Sequence, residues 1–206
     1  MTSAFWVLEG MDGCGKTTQA ENLVAALEAD GRQPLHLREP GSTGLGEGLR
    51  DMLLDADRDD WDPRSEALLF FAARNQLLRE LVAPALAAGR DVVCERFTPS
   101  TLAYQGQSSE LRQWVLELDR LVVAERRPHC VFILDLAAED SFARVGGDVG
   151  HDSFESRGVA FQQKVREGYL SYAQAFPQAS MVISVAQRSI EDIAAEILAA
   201  TLVRRP

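Results

Sequence analysis

The chain has 206 residues, 46% of them hydrophobic and 25% charged, with a formal net charge of −10. That length suits one domain with a buried core, and that composition excludes a disordered or fibrous chain. The acidic balance disfavours a nucleic-acid coat or a membrane-surface binder, whose footprints are basic, and no apolar span of about 20 residues or signal peptide is evident, so a cytoplasmic protein is expected.

From the N-terminus, the apolar run Phe5 to Glu9 predicts a buried strand. It leads directly into Gly10-Met11-Asp12-Gly13-Cys14-Gly15-Lys16-Thr17, which fits the spacing G-x-x-x-x-G-K-[ST] of a phosphate-binding loop. A helix over Thr17 to Asp30 follows, because Ala20, Leu23, Val24 and Leu27 recur at helical intervals. The glycines Gly10, Gly13 and Gly15 let backbone N–H groups approach phosphate oxygens at the positive end of that helix. Lys16 is placed to neutralise the outer phosphates, and the Thr17 hydroxyl to hold Mg²⁺. The stretch Gly10 to Thr18 is therefore the expected ATP-binding loop. Cys14 within it reads as a small filler, or alternatively as a thiol whose pKa Lys16 lowers. Cys94 and Cys130 read as buried thiols, and the three cysteines form no metal-ligand or disulfide pattern.

Further strands are expected at Pro34 to Leu37, Asp91 to Cys94, His129 to Leu136 and Met181 to Val185. Helices are expected at Thr43 to Leu54, Ser65 to Ala88, Glu110 to Glu125, Phe154 to Phe176 and Ile190 to Val203, with glycine-rich Val145 to Gly150 as a loop. This alternation predicts an α/β fold with an about five-stranded, mostly parallel sheet flanked by helices. Ligands then collect beyond the carboxyl ends of the strands. Those ends carry Glu9-Gly10, Arg38-Glu39-Pro40-Gly41, Glu95-Arg96-Phe97 and Asp135, which are expected to converge on one polar site.

After the phosphate loop come Arg38-Glu-Pro-Gly-Ser-Thr43, Leu69-Phe-Phe-Ala-Ala-Arg74, Glu95-Arg-Phe with Ala103-Tyr-Gln-Gly106, and Ala186-Gln187. This ordered set covers nearly the whole chain and resembles the bacterial thymidylate kinases, which phosphorylate dTMP with ATP. The resemblance implies a phosphate-loop nucleoside monophosphate kinase fold, one domain with a lid near residues 144–157, ATP and Mg²⁺, small-molecule nucleotide substrates and a homodimer. It implies that Phe70 stacks on the pyrimidine ring and that Arg74 hydrogen-bonds a ring carbonyl, as suits a donor-only guanidinium. Arg38 and Arg96 would hold the acceptor phosphate with help from Arg50, and Ser100 would line the same site. Asp12 would accept from the sugar 3′-hydroxyl, Tyr104 would crowd the 2′ position, and Ala186 and Gln187 would line the adenine pocket. Taken from the residues alone, Phe70 could equally be core, and Arg74 a surface residue paired with Glu66 or Glu80.

The expected catalytic set is Lys16, Glu95, Arg96 and Arg144, with Thr17 and Glu95 toward the metal. Three departures accompany the resemblance. Glu95 stands where aspartate is usual, extending the carboxylate by one methylene. Gln107 to Glu110 replaces a glycine- and arginine-containing loop. The lid stretch Arg144 to Glu155 has Ser153 where an arginine is expected, and Gly146 and Asp148 where others are common. The transferring group would then rely on Arg144 or Arg157, or on protonated His151; otherwise the chain has moved toward dUMP or a modified pyrimidine nucleotide, or toward nucleotide binding with little turnover. A DNA-dependent ATPase is disfavoured by the acidic charge.

Overall fold

Phe5-Trp6-Val7-Leu8 offers no polar side to solvent, and every position of this strand through Glu9 is buried. A strand of that kind needs cover on both faces. The computed structural model, which describes residues 2–55, 57, 60–144, 154 and 158–205, provides it. Strands β1 (Phe5–Glu9), β2 (Leu35–Arg38), β3 (Val92–Glu95), β4 (Cys130–Asp135) and β5 (Ser180–Ser184) form one sheet in the order β2-β3-β1-β4-β5. Every pairing is parallel, and Val7 lies between Cys94 and Val131.

The helices are α1 (Lys16–Ala29), α2 (Gly44–Leu54), α3 (Pro63–Leu77), α4 (Ala83–Ala87), α5 (Thr98–Tyr104), α6 (Ser109–Val122), α7 (Ala138–Arg144), α8 (Val159–Ala175) and α9 (Ile190–Val203). Alternation along β1 divides the core. Phe5 and Val7 pack with Phe71, Leu102, Val115 and Val165 from α3, α5, α6 and α8. Trp6 and Leu8 pack with Leu23, Leu27, Ile193 and Ile197 from α1 and α9. Parallel strands bring all their carboxyl ends to one edge, and that edge carries the site.

The helix expected over 65–88 differs in two ways. It begins at Pro63, where the Asp62 side chain accepts from the Arg64 N–H at 2.8 Å. It is also interrupted by a π-helical turn at Leu78–Val82, in which the Ala83 N–H reaches back to the Leu78 carbonyl. Pro84 explains the interruption, because its ring would clash with the carbonyl of an ordinary preceding turn. Two short helices, α5 and α7, were not expected from the periodicity; both stand at the site.

Candidate active site

The phosphate loop is shaped by its glycines. Gly10 has φ 135°, and a Cβ there would meet the Leu134 carbonyl oxygen at 2.5 Å and Cys14 Sγ at 2.8 Å. Gly15, at φ 94°, turns the chain into α1, which starts with neither a side-chain cap nor an acidic residue in its first turn. Its leading N–H groups and positive end therefore face the cavity without a competing anion from its own first turn. This cavity, of about 440 Å³, is lined by Gly13, Gly15, Lys16, Thr17 and Thr18, together with Glu95 and Arg96. Met11 and Cys14 turn their side chains into the core. Burial pushes the Cys14 thiol up in spite of Lys16, so the filler reading holds and the reactive-thiol alternative does not.

Four contacts organise the cavity's polar wall. Lys16 donates to the Met11 carbonyl at 2.8 Å and to Asp12 Oδ1 at 3.4 Å. Thr17 Oγ1 donates to Glu95 Oε2 at 2.6 Å, while Glu95 Oε1 lies 3.1 Å from His36 Nε2. Burial raises the Glu95 carboxyl, but the hydrogen bonds from His36 and Thr17 and the Lys16 charge outweigh it, leaving the group below its ordinary pKa. A hydroxyl and an ionised carboxylate side by side are hard oxygen donors, a set that fits Mg²⁺. The longer glutamate at this position thus still reaches Thr17.

A second cavity, of about 180 Å³, adjoins the first and shares Asp12, Glu39, Arg50 and Arg96 with it. Arg96 leaves β3 with φ 65°, a left-handed conformation that neighbouring structure must hold. Glu9 supplies much of that hold: fully buried, it accepts from the Phe97 N–H at 2.7 Å, the Ser100 N–H at 3.1 Å and Ser100 Oγ at 2.6 Å. Arg96 then ion-pairs with Asp12, donates to Ser100 Oγ and Tyr169 Oη, each at 3.3 Å, and lies over the Tyr104 ring at 5.7 Å. Burial alone would raise the Asp12 carboxyl; Arg96 and Lys16 overcome it and hold the group well below the carboxylate range.

Phe70 is half-buried and lines the second cavity, whereas Phe71 beside it enters the core. The ring of Phe154 lies 6.1 Å from Phe70 and meets Tyr104 edge-on at 5.6 Å. Arg74 is 1% exposed. Its Nε donates to Glu39 Oε2 at 2.7 Å and its Nη2 to Thr101 Oγ1 at 3.2 Å, between the rings of Phe71 and Phe97. The surface-pair alternative for Arg74 is thereby excluded; Glu66 accepts from Gln105 at 2.9 Å and Glu80 from Gln76 at 2.8 Å. Burial pushes the Glu39 carboxyl up to about 7 against the pull of Arg74.

Other expected residues sit differently. Arg38 borders the first cavity, but its side chain is 53% exposed and pairs with Glu47. Arg50 donates to the Pro40 carbonyl at 3.0 Å, after a cis Glu39–Pro40 bond. Arg144 donates to the Gly13 carbonyl at 3.2 Å, and Ser141 to the Asp12 carbonyl at 2.6 Å, so α7 rests on the phosphate loop. Ala186 and Gln187 are exposed after β5 and line neither cavity. Asp135 does not join the polar site: Arg166 takes both its oxygens, at 2.7 and 2.9 Å. Gly146, Asp148, His151, Ser153 and Arg157 lie outside the described residues. Thr101, Gln105 and Tyr169 carry no signal readable from spacing, because their contributions come through long-range contacts; Asp62-Pro63, by contrast, is a readable helix start.

A parallel sheet with a phosphate loop at its first strand, and an arginine- and aromatic-lined cavity alongside, defines a phosphotransferase with the nucleoside monophosphate kinase architecture. The thymidylate kinase family model matches residues 8–197. The thymidylate kinase of Dinoroseobacter shibae is 42% identical over 193 residues, covering 93% of this chain and 92% of the relative. That of Pseudomonas fluorescens is 42% identical over 188 residues, covering 91% and 90%. The crystal structure of thymidylate kinase from Ehrlichia chaffeensis superposes with a TM-score of 0.75 at 28% identity, covering 98% of this chain and all of that one. The chain belongs to the thymidylate kinase family.

Proposed function

We propose that the protein transfers the γ-phosphate of ATP to dTMP, giving dTDP and ADP. The observation that carries this reading is the wall common to the two cavities. Arg96 and Asp12 belong to both, so an acceptor phosphate in the smaller one lies against the phosphate loop of the larger.

In this reading the loop from Gly10 to Thr18 cradles the ATP phosphates with its N–H groups, and Lys16 carries the balancing charge. Thr17 and Glu95 would hold Mg²⁺, which when bound adds positive charge beside the phosphate oxygens. Arg96, supported by Ser100, grips the acceptor phosphate; Arg50 assists from the Pro40 loop, and Arg38 joins by exchanging Glu47 for phosphate. Asp12 accepts from the 3′-hydroxyl and Tyr104 occupies the space a 2′-hydroxyl would need. Phe70 offers its face to the base and Arg74 a buried donor. Ala186 and Gln187 would border the adenine from the β5 side. The chain's contribution is alignment and charge, which suffices for phosphoryl transfer.

The test is ADP release with Mg·ATP across dTMP, dUMP, dCMP, dGMP and no acceptor, using Lys16→Ala as the blank. A signal that requires dTMP and vanishes in the blank supports the reading. Equal stimulation by dUMP moves it to another pyrimidine deoxynucleotide. ATP binding without stimulation by any acceptor moves it to a nucleotide-binding protein.

Arg144, at the head of the proposed lid, is the remaining arginine aimed at the loop among the described residues of α7, and we assign it the clamp on the transferring group. Because it is exposed, its charge is worth less than a buried finger, and Arg144→Ala is expected to lower kcat roughly 10-fold to 10²-fold. Unchanged single-turnover transfer would remove that role. For assembly, α3 packs against α2 and α6, and these helices expose Leu45, Met52, Leu68 and Leu121. A homodimer covering them is proposed, and Leu68→Glu should shift sedimentation toward the monomer; a monomeric parent protein would defeat the idea.

A further inference from the structure

Buried polar atoms ordinarily have partners, so those that lack one and face a cavity indicate where a ligand is met. Glu39, Arg74 and Gln105 are 3%, 1% and 2% exposed, and all three line the smaller cavity. Each keeps one buried atom without a hydrogen-bond partner: Glu39 Oε1, Arg74 Nη1 and Gln105 Oε1.

The orientation of Arg74 needs an explanation. Its guanidinium lies 4.6 Å from the Phe71 ring and 4.9 Å from the Phe97 ring. Ring faces attract a cation but do not decide which nitrogen points where. One carboxylate oxygen does. Glu39 Oε2 accepts from Nε at 2.7 Å and lies 2.7 Å from Nη2, whose remaining reach goes to Thr101. With Nε and Nη2 engaged, Nη1 is left for the cavity. Glu39 itself is anchored, since its N–H donates to the Glu95 carbonyl at 2.8 Å. The next residue, Pro40, fixes Arg50 through its carbonyl.

We infer that Glu39 is the positioning residue for acceptor recognition, turning Arg74 so that Nη1 presents its N–H groups to the ring edge of the nucleotide. This rests on the acceptor reading given above. Glu39 acts through Arg74 and takes no part in the transfer. Without it the guanidinium keeps its aromatic slot but loses both its direction and its counter-ion.

The test is a binding cycle on the full chain: wild type, Glu39→Gln, Arg74→Ala and the double variant. Dissociation constants for dTMP and ATP are measured calorimetrically. Glu39→Gln should weaken dTMP about 10-fold and leave ATP within about twofold, and the double variant should bind dTMP no more weakly than Arg74→Ala alone. The preference for dTMP over dCMP should fall in Glu39→Gln. Glu39→Asp keeps the charge but withdraws the oxygen by one methylene; it should weaken dTMP with a near wild-type Tm, and it decides the matter if the glutamine variant does not fold. Wild-type dTMP affinity in Glu39→Gln or Glu39→Asp, losses that add in the double variant, or a parallel loss of ATP affinity would each overturn the proposal. The wild type's own affinity for dTMP reports separately on the acceptor reading. Should another monophosphate bind better, the cycle is run with that nucleotide and judged by the same coupling.

Discussion

Lys16→Ala is expected to reduce turnover by roughly 10³-fold, at the upper end of what removal of one preorganised charge-stabilising group costs a reaction. Lys16 is only 7% exposed, and its ammonium is held by the Met11 carbonyl and Asp12 at the mouth of an uncapped helix. Its charge therefore acts where water screens it poorly. No other lysine or arginine of the loop replaces it, since Gly10 to Thr18 contains one basic residue. The fold should survive, because the Lys16–Asp12 contact is 3.4 Å long and Asp12 is 27% exposed, a geometry worth at most about 1 kcal/mol. Single-turnover phosphoryl transfer, with a thermal melt as control, checks both parts. Turnover within tenfold of wild type would displace the phosphate loop from the chemistry.

Arg96→Ala should cost both activity and acid stability. Loss of a bidentate-capable cation at the junction of the cavities is expected to lower kcat/KM for dTMP by roughly 10² to 10³. The variant also leaves Asp12 and Ser100 without their guanidinium. Breaking a fully buried pair costs about 3–5 kcal/mol; here Asp12 retains some solvent, and about 1–3 kcal/mol is expected. The pH dependence has a definite sign. The Asp12 carboxyl is depressed in the folded protein, so its stabilising contribution is present above the ordinary carboxylate range and is lost as pH falls through the folded value. Without Arg96 the Asp12 pKa rises, and the acid-unfolding midpoint should move to higher pH. Circular dichroism across an acid titration measures it; coincident curves for wild type and variant would show that Asp12 does not depend on Arg96.

How much of this was legible in the sequence follows from the range of the interactions involved. The strands were readable because a strand buried on both faces must be almost wholly apolar, as Phe5 to Leu8 and Val131 to Leu134 are. The phosphate loop was readable because its parts are contiguous. Helices α5 and α7 were missed because seven residues each hold too few turns to show a period. The site's supports were harder to see: Glu39 meets Arg74 across 35 residues, and Tyr169 meets Arg96 across 73. No spacing rule spans such gaps; only the sheet order brings them together. Asp135 shows the converse error. Its place at a strand end suggested the site, yet Arg166 on α8 claims it, and a strand end alone cannot tell an available carboxylate from an occupied one.

Asp12 stands between cations from different elements, Lys16 at the start of α1 and Arg96 at the end of β3. A single carboxylate thus keeps two cations gathered and partly stripped of water while it remains ionised. Phosphate arriving in such a place does not have to recruit positive charge from solvent; it has to displace a resident anion. In the proposed reading, recognition takes the form of an exchange of counter-ions, and because Asp12 and Arg96 border both cavities, filling one alters the electrostatic hold available to the other. Donor and acceptor nucleotides would accordingly sense each other through Asp12 without any movement of the sheet.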